Sequence, residues 1–219
     1  MPARTREPLT RERVVRAAVE IADRDGLAPL SMRSLARHVG VEAMSLYHHV
    51  ASKDDLLDGM VDAVFAEIHL PRAGEGWAGQ VRLRSTSGRE VLLRHRWAVG
   101  LMDSRTSPGP ATLRAHDAVL GCLRAAGFPV ELAAHAVAAL DAHLYGYLVQ
   151  EVSLPFRDGP GAGEVAERIA EGLDPAEFPH LVEIAREHVT RPGYDFRDEF
   201  GWGLDLLLEG LARRLAAVR

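Results

Sequence analysis

Residues 31–50 read SMRSLARHVGVEAMSLYHHV. Ser31 is a helix-capping residue type set directly before a run, Met32–Val39, that stops at Gly40. A second short helix, about Glu42 to His49, follows Val41. Its composition is lopsided. Glu42, Ala43, Met44 and Ser45 at its front are mostly short or flexible, while Tyr47, His48 and His49 crowd its end. A core helix spreads its large residues along an apolar face instead. Two short helices joined by a turn with a glycine form a helix-turn-helix unit, and Leu35, Val39, Val41 and Leu46 can fix the angle between them. The second helix of such a unit lies in the DNA major groove with its N-terminal residues at the base edges.

That docking explains the lopsidedness. Glu42 can accept from cytosine, Ser45 can donate or accept, and Ala43 or Met44 can touch a thymine methyl. Tyr47 and His49, a turn further back, can donate to phosphate oxygens, contacts that position a protein without reading sequence. Arg33, early in the preceding helix, and Lys53, at the start of the next one, flank them. Lys53 also lies where free backbone amides favour an anionic phosphate. Other readings remain open at this level. Helix pairs with a glycine turn occur in many bundles, the two histidines can be a surface pair, and Tyr47 can be half-buried core with a wet hydroxyl. His48 and His49 diverge on a helix and have no third ligand at a useful spacing, so no metal is expected.

Outward from this stretch the chain reads as all-α. Thr10 caps a helix carrying Val14, Ala18, Ile21 and Ala22 at helical spacing, closed by Gly26. Ser52-Lys53-Asp54-Asp55 offers a capping-box-like start to a helix running to about His69. RAGEGWAG reads as a loop, followed by a helix from about Ala78 to Asp103, broken near Ser85–Gly88. Further helices are expected at about Ala111–Ala126, Pro129–Val152, Glu164–Glu171, Pro175–Thr190 and Phe196–Val218, with SRTSPGP and LPFRDGPGAG as loops. These elements suggest a three-helix DNA-binding domain at 1–56 and a larger helical domain at 57–219.

The totals set the class. The 219 residues carry a formal net charge of −5, and 47% are hydrophobic, enough for a real core. Residues 1–50 hold eight arginines against six acids, so a mildly basic head precedes a more acidic remainder. A single cysteine, Cys122, allows no internal disulfide. No apolar run approaches the ~20 residues that span a bilayer, and the amino end lacks the apolar stretch of a signal peptide, so a soluble cytoplasmic protein is expected. Asp141, His143 and scattered serines come without a phosphate loop, nucleophile elbow or metal motif, so neither an enzyme nor a cofactor is expected.

Residues 10–56 resemble the amino-terminal domain of the TetR family of repressors. The resemblance rests on TRERVVRAAVEIADRDGL, LSMRSLARHVGVEAMSLYHHV and SKDDLLDG. PVELAAHAVAALDAHLYGYLVQE and FRDEFGWGLDLLLEGL are similar to ligand-domain helices of its tetracycline-repressor branch. The resemblance implies a homodimer built from the helices at about 130–152 and 196–218, a palindromic double-stranded operator, and release by a small-molecule effector. It sets His69 where tetracycline repressors have a pocket histidine, and Glu151 or Gln150 near the acid that approaches the bound metal. The family's metal-binding histidine is missing: Met102 or Asp103 occupies its place, and Ser107 stands where an arginine would align. Tetracycline–magnesium is therefore not the expected effector. Trp97, Met102, His116, His143 and Tyr147 can line a more apolar pocket. The rival to this reading is a helical ligand-binding scaffold without DNA binding.

Overall fold

The computed structural model describes residues 8–102, 104–155 and 159–218. Their regular structure is helical, with no strand among them, and none of their helices is long and apolar enough to cross a membrane. The chain divides into two compact units, one up to Val137 and one from Ala138 onward, with the boundary inside a helix.

In the first unit, α1 (Arg11–Asp25), α2 (Met32–Val39), α3 (Ala43–Leu46) and α4 (Lys53–Phe65) pack around one apolar cluster. Local chemistry sets each boundary. Thr10 Oγ1 accepts from Arg13 N, and Gly26 ends α1 at φ 78°. Ser31 and Ser34 cap each other's backbone N–H groups at 3.1 and 2.9 Å. Gly40 then takes the left-handed conformation, φ 74° and ψ 40°, that a glycine adopts without steric cost. Val14, Ala18, Leu35, Leu46, Leu56 and Met60 are fully shielded from solvent. Gly59 lets α4 approach α1 closely, because a Cβ there would meet Val15 at 2.9 Å.

Downstream lie α5 (Trp77–Arg94), a 3₁₀ turn (Arg96–Ala98) and α6 (Pro110–Ala125). α5 does not break near Ser85–Gly88. Both of those residues are buried, so their small size serves close packing inside a continuous helix. It ends at Arg94 rather than near Asp103, and Asp103 lies outside the described residues. α4 ends at Phe65, four residues short of His69. α6 has no side-chain cap of its own at Gly109. Asp62 of α4 supplies one, its Oδ1 accepting from Thr112 N at 2.8 Å and Thr112 Oγ1 at 3.0 Å.

α7 (Val130–Ser153) carries the chain into the second unit. There α8 (Gly159–Glu171) begins inside the stretch expected to be a loop; Pro160 falls in its first turn, where a missing N–H costs nothing. α9 (Pro179–Ile184) continues as a π-type turn over Ala185–Val189. The last helix, α10 (Phe196–Ala217), buries Phe200, Leu204, Leu208, Leu211 and Leu215, while α7 buries Leu140, Leu144 and Leu148. The two helices meet through stacked rings. His143 lies on Phe200 with ring centres 5.1 Å apart, and Tyr147 on Phe196 at 5.1 Å. Gly203 makes room for this, since a Cβ there would fall 2.6 Å from His143 Cε1.

Candidate nucleic-acid interface

The recognition segment is shorter than its sequence suggests. Regular helix covers only Ala43–Leu46, and the chain then tightens into hydrogen-bonded turns: Tyr47 N donates to Met44 O at 3.2 Å and His49 N to Leu46 O at 2.9 Å. Leu46 anchors the segment, fully buried under α1 and α2. Around that anchor Glu42, Met44, Tyr47 and His48 are exposed. Met44 is 71% exposed, the highest value among the large apolar residues described. Its side chain is therefore open to a partner surface. Glu42 is exposed, Ala43 and Ser45 are half-buried, and Glu42 makes no capping hydrogen bond.

The phosphate candidates surround this front. Tyr47 is 45% exposed, His49 is half-buried, and Arg33 and Lys53 are exposed without an ion pair among the described residues. Arg37, one helical turn after Arg33, shares that state and is a further cation the sequence reading passed over. Its signal was present, since Arg33 and Arg37 are spaced i, i+4 on α2.

A second feature was only half read. Ser52 does cap α4, its Oγ accepting from Asp55 N at 3.0 Å. Asp55 does not complete a capping box by returning to the Ser52 backbone. Its Oδ2 accepts from Ala51 N at 2.7 Å instead, and both carboxylate oxygens take the fork of Arg11, at 2.8 Å from Nη1 and 2.5 Å from Nη2. Nη1 of Arg11 also donates to His49 O at 3.1 Å, and Nη2 to Asp55 O at 3.3 Å. The mutual hydrogen bonds hold the Asp55 carboxyl below the usual carboxylate range and raise the Arg11 guanidinium.

The effector candidates fall into both units. In the first, His69 Nε2 lies 3.1 Å from Gln80 Oε1 and its backbone N–H donates to Ser87 Oγ. His116 Nδ1 is 2.9 Å from Thr112 O, its ring tilted against Phe65. Met102 is buried. Trp97 packs against the cluster of the helix-turn-helix head, and its Nε1 donates to Asp23 at 2.7 Å. The neighbouring His95, buried, sets Nδ1 2.7 Å from the same Asp23 oxygen and Nε2 3.2 Å from Glu67. This knot joins the ends of α1 and α4 to the 3₁₀ turn, and its three polar members are far apart in sequence. In the second unit, His143 Nε2 lies 3.0 Å from Phe200 O, Tyr147 O–H donates to Phe196 O, and Glu151 is buried.

A compact helix-turn-helix head on an otherwise helical chain defines a DNA-binding regulator, and similarity to known proteins gives its family. Residues 14–60 match the family described as "Bacterial regulatory proteins, tetR family", and residues 70–215 match "Tetracyclin repressor-like, C-terminal domain". An HTH-type transcriptional regulator of Saccharopolyspora erythraea is 36% identical over 212 residues, which cover 96% of this chain and 87% of the relative. The HTH-type transcriptional repressor DrrR1 of Streptomyces coeruleorubidus is 32% identical over 230 residues, covering 96% and 80%. Among solved structures, the Streptomyces coelicolor TetR family protein ActR in complex with actinorhodin has a TM-score of 0.81 at 32% identity, covering 95% of this chain and 99% of that one. The chain belongs to the TetR family of transcriptional regulators. It is a ligand-responsive DNA-binding regulator, and a scaffold without DNA binding is not favoured.

Proposed function

We propose that the protein represses transcription as a homodimer on a palindromic operator and leaves it when a small molecule occupies the larger domain. The observation that carries the DNA half is the surface of residues 42–53. An apolar side chain, Met44, stands out in solvent at the front, with Tyr47, His49 and Lys53 behind it. In this reading Glu42, Ala43, Met44 and Ser45 face base edges, while Arg33, Arg37, Tyr47, His49 and Lys53 hold phosphates. The head is then residues 1–56, and residues 57–219 bind the effector and dimerise. Two copies related by a two-fold axis would read two inverted half-sites.

For the effector, the proposed contacts in the first unit are His69, Trp97, Met102 and His116, while His143, Tyr147 and Glu151 are a separate set of candidates in the second unit. Trp97 would offer its ring alone, because its N–H is spent on Asp23. The relative ActR is described in complex with actinorhodin, which supports an organic effector here. Magnesium-bound tetracycline is not proposed: Met102 or Asp103 stands where those repressors have their metal-binding histidine, and Ser107 where an arginine would align. An effector that prefers one arrangement of the two heads shifts the population away from operator spacing.

The test is binding to double-stranded fragments of the DNA upstream of the protein's own gene, followed by fluorescence anisotropy. A repressor of this type loses roughly tenfold or more in affinity for a few-fold rise in salt. Binding that is absent at low ionic strength without effector, or indifferent to salt, would rule the proposal out.

A further inference from the structure

We infer that Arg11 and Asp55 form a positioning clamp for operator reading: Arg11, a cation of the DNA-binding head, does not contact DNA but sets the geometry of the groups that do. The inference rests on the operator-binding reading above.

Three separate segments of the interface converge on this one pair. His49 closes the recognition segment and its carbonyl accepts from Arg11. Ala51, in the link to α4, donates its N–H to Asp55. Asp55 sits in the first turn of α4, two residues after Lys53, and is capped by Ser52. Arg11 itself opens α1. The guanidinium thus binds the carbonyl at the end of the base-reading segment and the carboxylate at the start of the helix carrying Lys53.

The recognition segment needs such a fixture for a physical reason. A helix of four residues makes too few internal hydrogen bonds to hold its own shape. Leu46 and Val50 pin its depth, with Val41 and Ala43 packed beside them, but these apolar contacts are not directional. A planar fork bound to two acceptors in different segments is. Arg11 is also largely committed. Both its terminal nitrogens are engaged, at His49 O, Asp55 O and the two carboxylate oxygens, so little of its hydrogen-bonding capacity is left for a phosphate although the side chain is partly exposed. The pair stays ionised because each partner's hydrogen bond favours the other's charged form. It costs little to maintain, since both side chains keep part of their surface in water.

The charge arithmetic of the pair separates a positioning role from an electrostatic one. Arg11→Lys keeps the charge and can reach Asp55, but an ammonium cannot reproduce the fork that spans Asp55 and His49 O. Asp55→Asn removes a negative charge from the DNA-facing head, which by itself would strengthen binding to any duplex. The decisive measurement is the ratio of operator to non-specific affinity for wild type, Arg11→Lys, Arg11→Met and Asp55→Asn. It is made by anisotropy at matched salt and at a temperature where circular dichroism shows each variant folded. All three variants are expected to lose operator affinity by roughly ten- to a hundredfold, about the range of losing one base-specific contact. Non-specific binding should change less than about threefold for Arg11→Lys and be equal or stronger for Asp55→Asn. Arg11→Lys is further expected to melt close to wild type, so that stability and operator recognition separate.

Wild-type operator affinity in Arg11→Lys, or tighter operator binding by Asp55→Asn, would overturn the clamp. So would a parallel fall of specific and non-specific binding in step with melting temperature, which marks a purely structural pair. If wild type itself binds no operator, the failure lies with the functional reading and not with the clamp. Should Arg11→Met fail to fold, Arg11→Lys and Asp55→Asn still decide the matter.

Discussion

Tyr47 and Lys53 present a hydroxyl and an ammonium at the rim of the proposed recognition surface, while Met44 and Ser45 stand at its front. The two groups should fail differently. Tyr47→Phe and Lys53→Ala are expected to weaken binding to every sequence alike, with Lys53→Ala lowering the salt slope by about one. Ser45→Ala and Met44→Ala should instead change base preference, read out by binding to a panel of operator variants. A base-specific effect confined to Lys53→Ala would place that side chain in the groove and not on a phosphate. Asp55 adds a pH signature. Its carboxyl is held low in the folded protein, chiefly by the hydrogen bond from Arg11. Its contribution is therefore present above the unfolded value of about 3.9 and is lost as pH falls through the lower folded value. Melting temperature should drop less steeply below about pH 4 in Asp55→Asn than in wild type.

At the level of elements, helix ends here depend on residues from other helices. Asp62, on α4, caps α6 through Thr112, and Gly109 leaves the space for it. A methyl group at Gly109 would press on the Asp62 carboxylate, well inside van der Waals contact. Gly109→Ala should push that carboxylate off Thr112 and lose the cap. The expected cost is about 1 kcal/mol, or a melting temperature lower by about 2–4 °C for a chain of this size. Differential scanning calorimetry would check it, and an unchanged melting temperature would mean that Asp62 adjusts without releasing α6. The same cross-element dependence appears at Asp23, which takes the ring N–H of Trp97 and lies beside Nδ1 of buried His95, linking α1 to the turn after α5.

For the whole molecule, dimerisation is the property on which two-site operator reading depends. In the second unit α7 and α10 bury their leucines, meet through the His143–Phe200 and Tyr147–Phe196 ring pairs, and still leave Val149, Trp202 and Leu206 about half exposed or more. Trp202 and Leu206 are four residues apart and share one face of α10. Sedimentation should give twice the 23.9 kDa mass of the chain. Leu206→Glu is expected to yield monomers and to reduce operator affinity at least tenfold, because each half-site would then bind alone. A wild-type monomer would contradict the proposal outright.

The sequence by itself determined the all-α class, the helix-turn-helix at residues 31–50 and most helix starts, because caps, glycine stops and apolar periodicity act within a few residues of one another. Ser31, Gly40 and Ser52 behave as their local chemistry dictates. Tertiary structure decided what no local rule contains. It kept α5 continuous through Ser85 and Gly88, because buried small residues there pack closely. It cut the recognition helix to four residues, turned Asp55 from a capping group into the partner of Arg11 forty-four positions away, and gave α6 a cap from α4. Each of these outcomes depends on which distant donor or surface arrives in space, and a carboxylate or a small residue carries no mark of its eventual partner until the chain has folded.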